Sequence, residues 1–224
     1  MINSELQAEN IILDTFKNEP FHTLFFLYDI KPLNVFEGGT CSDKVLSARS
    51  HFEKAGFSVR LHSSIIDNKE CHRLLKLTIN KREYFADVGN GWPSIKLFPA
   101  FRDHEYHCFG ITFYSRVFKD HVKIYQKRDD QKRHTVTVPF DSMPEEEILQ
   151  NISNRFDQTY PFTGKQRFAQ VVKNRFLFLR DTDLHIYSDD GKTITSGVTS
   201  ELLSKTLLNE FNFNLEDFLF KYKK

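Results

Sequence analysis

The sequence predicts an α+β fold in three successive regions: a helical N-terminal part, an antiparallel β middle part, and a C-terminal part of strands closed by helices. Three observations carry this reading. Apolar residues recur at helical spacing before Gly56, the period changes to two from Phe57, and Leu and Phe return to helical spacing after Ser200. The boundaries are read at 1–56, 57–140, 141–164 (a helix and linker) and 165–224.

In the first region, Ser4 to Phe16 carries Leu6, Ile12, Leu13 and Phe16 on a loose helical stripe. A second helix starts just after Cys41, with Val45, Leu46, Ala48, Phe52 and Ala55 at helical spacing and Gly56 as its stop. From Phe57, apolar Val59, Leu61 and Ile65 alternate with Ser58, Arg60, His62 and Ser64, the pattern of a half-buried strand. Arg73–Ile79 and Tyr84–Val88 continue it across the polar turn Asn80-Lys81-Arg82. Further strands are read at His107–Phe118, Val122–Gln126 and His134–Val138, the last two separated by a charged hairpin, Lys127–Arg133. Such a run builds an antiparallel barrel or a sandwich.

The third region opens with Ser142 and Glu145, spaced as a capping box, and its helix is expected to run to about Asp157. The turn-rich Tyr160-Pro161-Phe162-Thr163-Gly164 ends it. Two strand-like runs, Phe168–Leu179 and Asp183–Tyr187, precede helices at Ser200–Phe211 and Leu215–Tyr222. The charge runs Lys127–Arg133 and Tyr222–Lys224 read as solvated turn and tail.

Composition narrows the class of protein. With 40% hydrophobic and 27% charged residues, the 224-residue chain is globular rather than disordered. A formal net charge of +1 gives no general pull toward nucleic acid or a membrane surface. No apolar run is long enough to cross a bilayer, and MINSELQAEN lacks the basic and hydrophobic segments of a secretory signal, so a cytosolic location is expected. Three cysteines without a CxxC pair argue against a disulfide framework and a structural zinc site. His104 and His107 find no third ligand at convincing spacing, and Gly89-Asn90-Gly91 is too short for a nucleotide fingerprint, so no metal or bound cofactor is expected. The 23 phenylalanines imply a Phe-rich core, with an aromatic-lined pocket as the sharper alternative.

The chemistry gathers where the first two regions meet. Cys41 follows Gly38-Gly39-Thr40 and precedes a helix. The glycines allow a sharply bent backbone, and the helix N-terminus offers unpaired N–H groups and a positive dipole end; both favour thiolate. His72 opens one predicted strand and Asp87 ends its partner across a short turn, so the two are expected to be neighbours. A carboxylate beside an imidazole fixes its tautomer and stabilises the imidazolium. Cys41, His72 and Asp87 are therefore the catalytic candidates, and Gly39, Thr40, Gly89, Asn90 and Trp92 the substrate-binding ones. Cys71 and Cys108 read as surface or core thiols.

The segments EGGTC, GFSVRLHSSI, CHRLLKLTI and YFADVGNGWPSIKLFP resemble the arylamine N-acetyltransferase family in order and spacing, and the resemblance runs over about residues 20–218. It implies a helical bundle with a cysteine-proteinase-like core, an antiparallel β-barrel and an α/β lid. It also implies a Cys-His-Asp triad at Cys41, His72 and Asp87. The implied reaction is ping-pong: the thiolate takes an acetyl or other acyl group from acetyl-CoA or another acyl-CoA and passes it to a small-molecule amine. Relatives of the family act as amide synthases, and a thiol hydrolase or a non-catalytic binding module are further alternatives on the same scaffold. Three positions depart from the family pattern. Glu37 stands where Arg is usual, placing a negative charge near the thiol; Val45 stands where Asn is usual; and Asn90 replaces a Phe associated with the acceptor pocket.

Overall fold

The structure, a computed structural model, describes residues 3–32, 37–129, 131–158, 160 and 162–222. Asp130 of the charged hairpin, Pro161 of the linker turn, and Lys223 and Lys224 of the tail lie outside the described residues.

Helix α1 (Ser4–Asn18) starts on Asn3, whose side chain accepts from the Glu5 N–H, and buries Ala8, Ile12 and Phe16. A two-residue strand, β1 (Phe21–His22), a single helical turn, α2 (Leu24–Leu27), and α3 (Cys41–Lys54) follow. α3 buries Val45, Ala48 and Phe52, as its spacing predicts, but also Asp43, Lys44 and Ser47. The Lys44 ammonium donates to the carbonyls of Thr15 and Glu19 at the C-terminal end of α1 and lies 5.0 Å from the Phe16 ring centroid. Carbonyls at the negative end of a helix, with lone pairs to spare, are what a buried cation needs. Burial still lowers the Lys44 pKa to about 8, against the opposing pull of Glu19.

Eight strands form a nearly closed antiparallel barrel, resolving the alternative with a sandwich: β2 (Ser58–Ile66), β3 (Lys69–Ile79), β4 (Arg82–Ala86), β5 (Phe98–Pro99), β6 (His104–Cys108), β7 (Ile111–Val117), β8 (His121–Arg128) and β9 (Gln131–Pro139). Their order is β5-β4-β3-β2-β9-β8-β7-β6. Asp67-Asn68, Asn80-Lys81 and Phe109-Gly110 sit at their tight connections, each with two left-handed residues in succession, as primed hairpin turns require. The last of these corrects the single strand expected over His107–Phe118: Gly110 reverses the chain and splits it into β6 and β7. The charged Lys127–Arg133 hairpin is paired closer to its tip than strand ends at Gln126 and His134 predict. Its backbone continues the β8–β9 ladder through Lys127↔Lys132 and Arg128↔Gln131, because exposed strands tolerate charge on their outward face.

Helix α4 (Glu145–Ser153) begins on Pro144, not on Ser142. The expected capping box is absent because both partners are engaged elsewhere. Ser142 Oγ accepts from the Ser63 N–H, while Glu145 pairs with Arg49 at 2.7 Å and accepts from the Leu61 N–H. α4 stops at Ser153, and Arg155–Asp157 form a separate 3-10 turn rather than its last turn.

The C-terminal region is a four-stranded meander, β10 (Arg167–Val172), β11 (Arg175–Arg180), β12 (Asp183–Ser188) and β13 (Gly191–Ser196), followed by α5 (Ser200–Phe211) and α6 (Leu215–Tyr222). The run Phe168–Leu179 is thus a hairpin, turned at left-handed Lys173. β1 joins the meander's edge through Phe21↔Ala169 and His22↔Phe168, making a five-stranded sheet. Strand alternation gives that sheet two buried faces. Phe168, Leu177, Leu179 and Leu184 pack with Leu203, Leu207 and Phe218 of the closing helices. Ala169, Val171, Phe176, Phe178 and Tyr187 join the core shared with the barrel. Two residues of the N-terminal region therefore tie the helices that carry Cys41 to the C-terminal sheet.

Candidate active site

Gly38 and Gly39 bring the chain to Cys41 through left-handed backbone, at φ +85° and +130°. A side chain on Gly38 would meet the Pro20 carbonyl oxygen at 2.0 Å, and one on Gly39 the Asp43 carboxylate at 2.6 Å. The Gly39 N–H donates to the Pro20 carbonyl and its own carbonyl accepts from the His22 N–H, so this segment is held against β1. Thr40 is the N-cap of α3 and Cys41 its first residue. The backbone N–H and hydroxyl of Thr40 both donate to Asp43, at 2.9 and 3.0 Å, and the other Asp43 oxygen accepts from Arg155 at 2.7 Å. The start of the helix is thereby locked from inside.

His72 lies in β3, which begins three residues earlier than expected, and Asp87 lies just beyond β4. The Leu75↔Ala86 pair closes that ladder, so the two side chains meet where the strands part. His72 Nε2 and Asp87 Oδ1 are 2.7 Å apart, and both residues are buried. That bond leaves Nδ1 as the ring nitrogen available to the Cys41 thiol, whose charged form His72 favours. Burial alone would raise the thiol pKa; the hydrogen bond to His72 and the charges of His72 and Arg73 outweigh it and lower the pKa below 9.0. Burial likewise opposes the charge on His72, yet Asp87 and then Cys41 push its pKa up to about 10. Both shifts favour the charged forms, thiolate for Cys41 and imidazolium for His72.

Gly89 lies against the nucleophile: a Cβ there would stand 2.6 Å from Cys41 Cα. Asn90 and Trp92 follow on the same loop. The Trp92 ring packs edge-on against Phe178 and Tyr187, and the Arg128 guanidinium lies 3.7 Å from its centroid. A cavity of about 250 Å³ opens over the sulfur. Thr40, Gly89, Asn90 and Trp92 line it with Cys41 and His72, whereas Gly39 is not among its walls and is bonded to His22 of β1. Its remaining walls include Phe21, Tyr160, Phe162, Phe178, Arg155 and Arg167, none of which sequence patterning singled out. For the three phenylalanines, the high Phe content is the one signal. Cys71 is largely exposed at the cavity's edge, its thiol raised by partial desolvation and then by the neighbouring Cys41, and buried Cys108 is pushed up to about 12. Glu37 pairs with Lys221 of α6, and the groups that set the Cys41 pKa do not include it.

A family model described as N-acetyltransferase matches residues 35–219, most of the chain. The chain belongs to that family. Acyl transfer is its chemistry at the family level, and the protein is an acetyltransferase-type enzyme. Comparison with curated proteins finds no match. Among solved structures, an arylamine N-acetyltransferase of Salmonella typhimurium is similar with a TM-score of 0.79 at 13% identity, over 95% of this chain and 85% of that one. The Mycobacterium marinum enzyme, in complex with CoA, gives 0.80 at 14% identity over 95% and 88%. A Bacillus cereus arylamine N-acetyltransferase described as having a Cys-His-Glu catalytic triad gives 0.75 at 18% identity over 94% and 92%. At these identities the likeness is one of fold, and it extends over nearly the whole enzyme. Among the described residues, no helix is long and apolar enough to cross a membrane.

Proposed function

We propose that the enzyme transfers an acetyl or other acyl group from a CoA thioester to a small-molecule amine through an acyl-enzyme on Cys41, with His72 and Asp87 completing a catalytic triad. The observation that carries this reading is the buried His72–Asp87 pair, 2.7 Å apart, set against a thiol at a helix N-terminus inside an aromatic cavity.

The Cys41 thiolate attacks the thioester carbonyl, forming the new C–S bond. The tetrahedral oxyanion is stabilised by backbone N–H groups at the start of α3, that of Cys41 among them. Collapse breaks the bond to the CoA sulfur, which takes the proton held by His72 and leaves as free CoA. An amine then attacks the acyl-enzyme and gives its proton back to His72. Collapse releases the amide and restores the thiolate–imidazolium pair. Asp87 keeps His72 in the tautomer and orientation that both halves need. Trp92, Phe162 and Phe178 offer flat apolar walls to an aromatic acceptor. The Bacillus cereus relative with a Glu in the acid position and the Mycobacterium marinum complex with CoA are consistent with this assignment. The reading places the enzyme in the cytosol, where its three free cysteines stay reduced.

The test is steady-state kinetics at several fixed amine concentrations with acetyl-CoA varied. Parallel double-reciprocal lines support the acyl-enzyme route; intersecting lines argue for direct transfer in a ternary complex. If water consumes the acyl group at a rate no amine accelerates, the enzyme is a thioester hydrolase instead.

A further inference from the structure

The carboxylate of Asp87 has two oxygens, and His72 uses one. The other accepts from Asn90 Nδ2 at 2.5 Å. The same amide nitrogen donates to Ser94 Oγ at 3.2 Å, and Asn90 Oδ1 accepts from the Trp92 N–H at 2.7 Å. Both N–H groups of the amide are therefore committed, and none is left for a substrate. The loop that carries Asn90 is itself fixed on the nucleophile by the contact of Gly89 with Cys41.

We propose that Asn90, read from sequence as a substrate contact, is a positioning residue: it anchors Asp87, and through His72 it maintains the charged state of Cys41. The physical case is one of burial. Asp87 is wholly removed from solvent, where an ionised carboxylate depends on each donor it has. Without the amide, the carboxylate is free to rotate off His72 and its charge becomes costlier. Either change weakens the imidazolium and returns the thiol toward its ordinary titration. The departure from the family at this position also exchanges an aromatic wall for a hydrogen-bonding brace, leaving Trp92 as the aromatic side chain of this loop in the cavity.

The inference rests on the triad reading for its effect on turnover, so the main readout is taken without any acyl donor. The rate of iodoacetamide alkylation at Cys41, followed by mass spectrometry across pH, is compared for the wild type, Asn90→Leu and Cys41→Ala. Asn90→Leu is expected to move the alkylation midpoint upward and to slow modification at neutral pH by about tenfold or more, with kcat falling and the donor KM little changed. Should Asn90→Leu fold poorly, Asn90→Ser, which withdraws the amide while keeping a small polar side chain, reads the same quantity. An unchanged midpoint and kcat in a folded variant, with only the melting temperature lowered, would overturn the proposal and leave Asn90 a brace of its loop. A wild-type thiol that alkylates no faster than an ordinary cysteine would instead count against the triad reading.

Discussion

Asp43 and Arg155, 112 residues apart in sequence, form a buried ion pair at 2.7 Å inside the first turn of the helix that Cys41 begins. Burial raises the Asp43 pKa despite the guanidinium and the two donors from Thr40. Removing the cation leaves a carboxylate in the core with no counter-charge. Arg155→Ala is expected to cost about 3–5 kcal/mol in urea unfolding, far more than loss of an exposed pair. A loss near zero would show that Arg155 is dispensable to the helix start.

Gly89 tests how tightly the loop after β4 sets the nucleophile. Gly89→Ala forces its new methyl within 2.7 Å of Cys41 Cα and Cβ, so main chain must move on one side. Acyl transfer is expected to fall about a hundredfold, since displacement by about 1 Å has that effect at a reacting centre. Gly56→Ala is the control. That residue has φ +84° but open space around its Cβ, so the change is expected to lower stability by about 1 kcal/mol and leave activity intact.

Thiol reactivity should separate the three cysteines. Cys41 is lowered, while Cys71 and Cys108 are raised, chiefly by burial. Under limiting iodoacetamide at neutral pH, peptide mapping is expected to find Cys41 modified first, although Cys71 is the more exposed. Equal labelling of Cys41 and Cys71 would contradict an activated thiolate.

Acid should unfold the protein through two histidines outside the triad. His22 is held down to about 3 by burial first, with Lys44 adding to it, although its ring meets the Glu37 carbonyl. His62 is held to about 4 by burial, with Lys76 and Arg60 adding to it, against its bond to the Pro139 carbonyl. The unfolded chain takes these protons near pH 6.5, and the folded one does not until about pH 3–4. Their stabilisation is complete above pH 6.5 and is lost as pH falls below it, at up to about 1.4 kcal/mol per pH unit for each group. His72 adds no slope there. Raised to about 10, it is protonated in both states below pH 6.5, and its contribution, full there, is lost progressively as pH rises from 6.5 to about 10. Chemical denaturation at intervals from pH 7 to 4 checks the slope, and His62→Gln should remove about half of it.

The legible parts of this fold are those that local patterning controls. Alternation locates β2, β3 and β4, and the short Asn80-Lys81 turn is enough to place His72 beside Asp87. The capping-box spacing occurs twice, and only one copy forms the box. Thr40-x-x-Asp43 carries the same spacing as Ser142-x-x-Glu145, and it is Asp43 that serves its N-cap, because Glu145 is drawn away by Arg49 and the Leu61 N–H. What stayed hidden depends on distant partners. β1 is two residues long and exists through its pairing with β10; β13 is nearly all exposed and shows no alternation. Phe21, Phe162 and Phe178 reach one cavity from three separate segments, which spacing within any one of them does not encode.

The central claim is that Cys41 accepts the acyl group, and intact-protein mass spectrometry tests it most directly. After brief incubation with acetyl-CoA and no amine, the wild type is expected to gain one acetyl group, mapped to Cys41 and discharged on adding an aromatic amine, while Cys41→Ala gains none. An enzyme that turns over acetyl-CoA with no adduct on Cys41, or a Cys41→Ala variant that keeps its activity, would contradict the account.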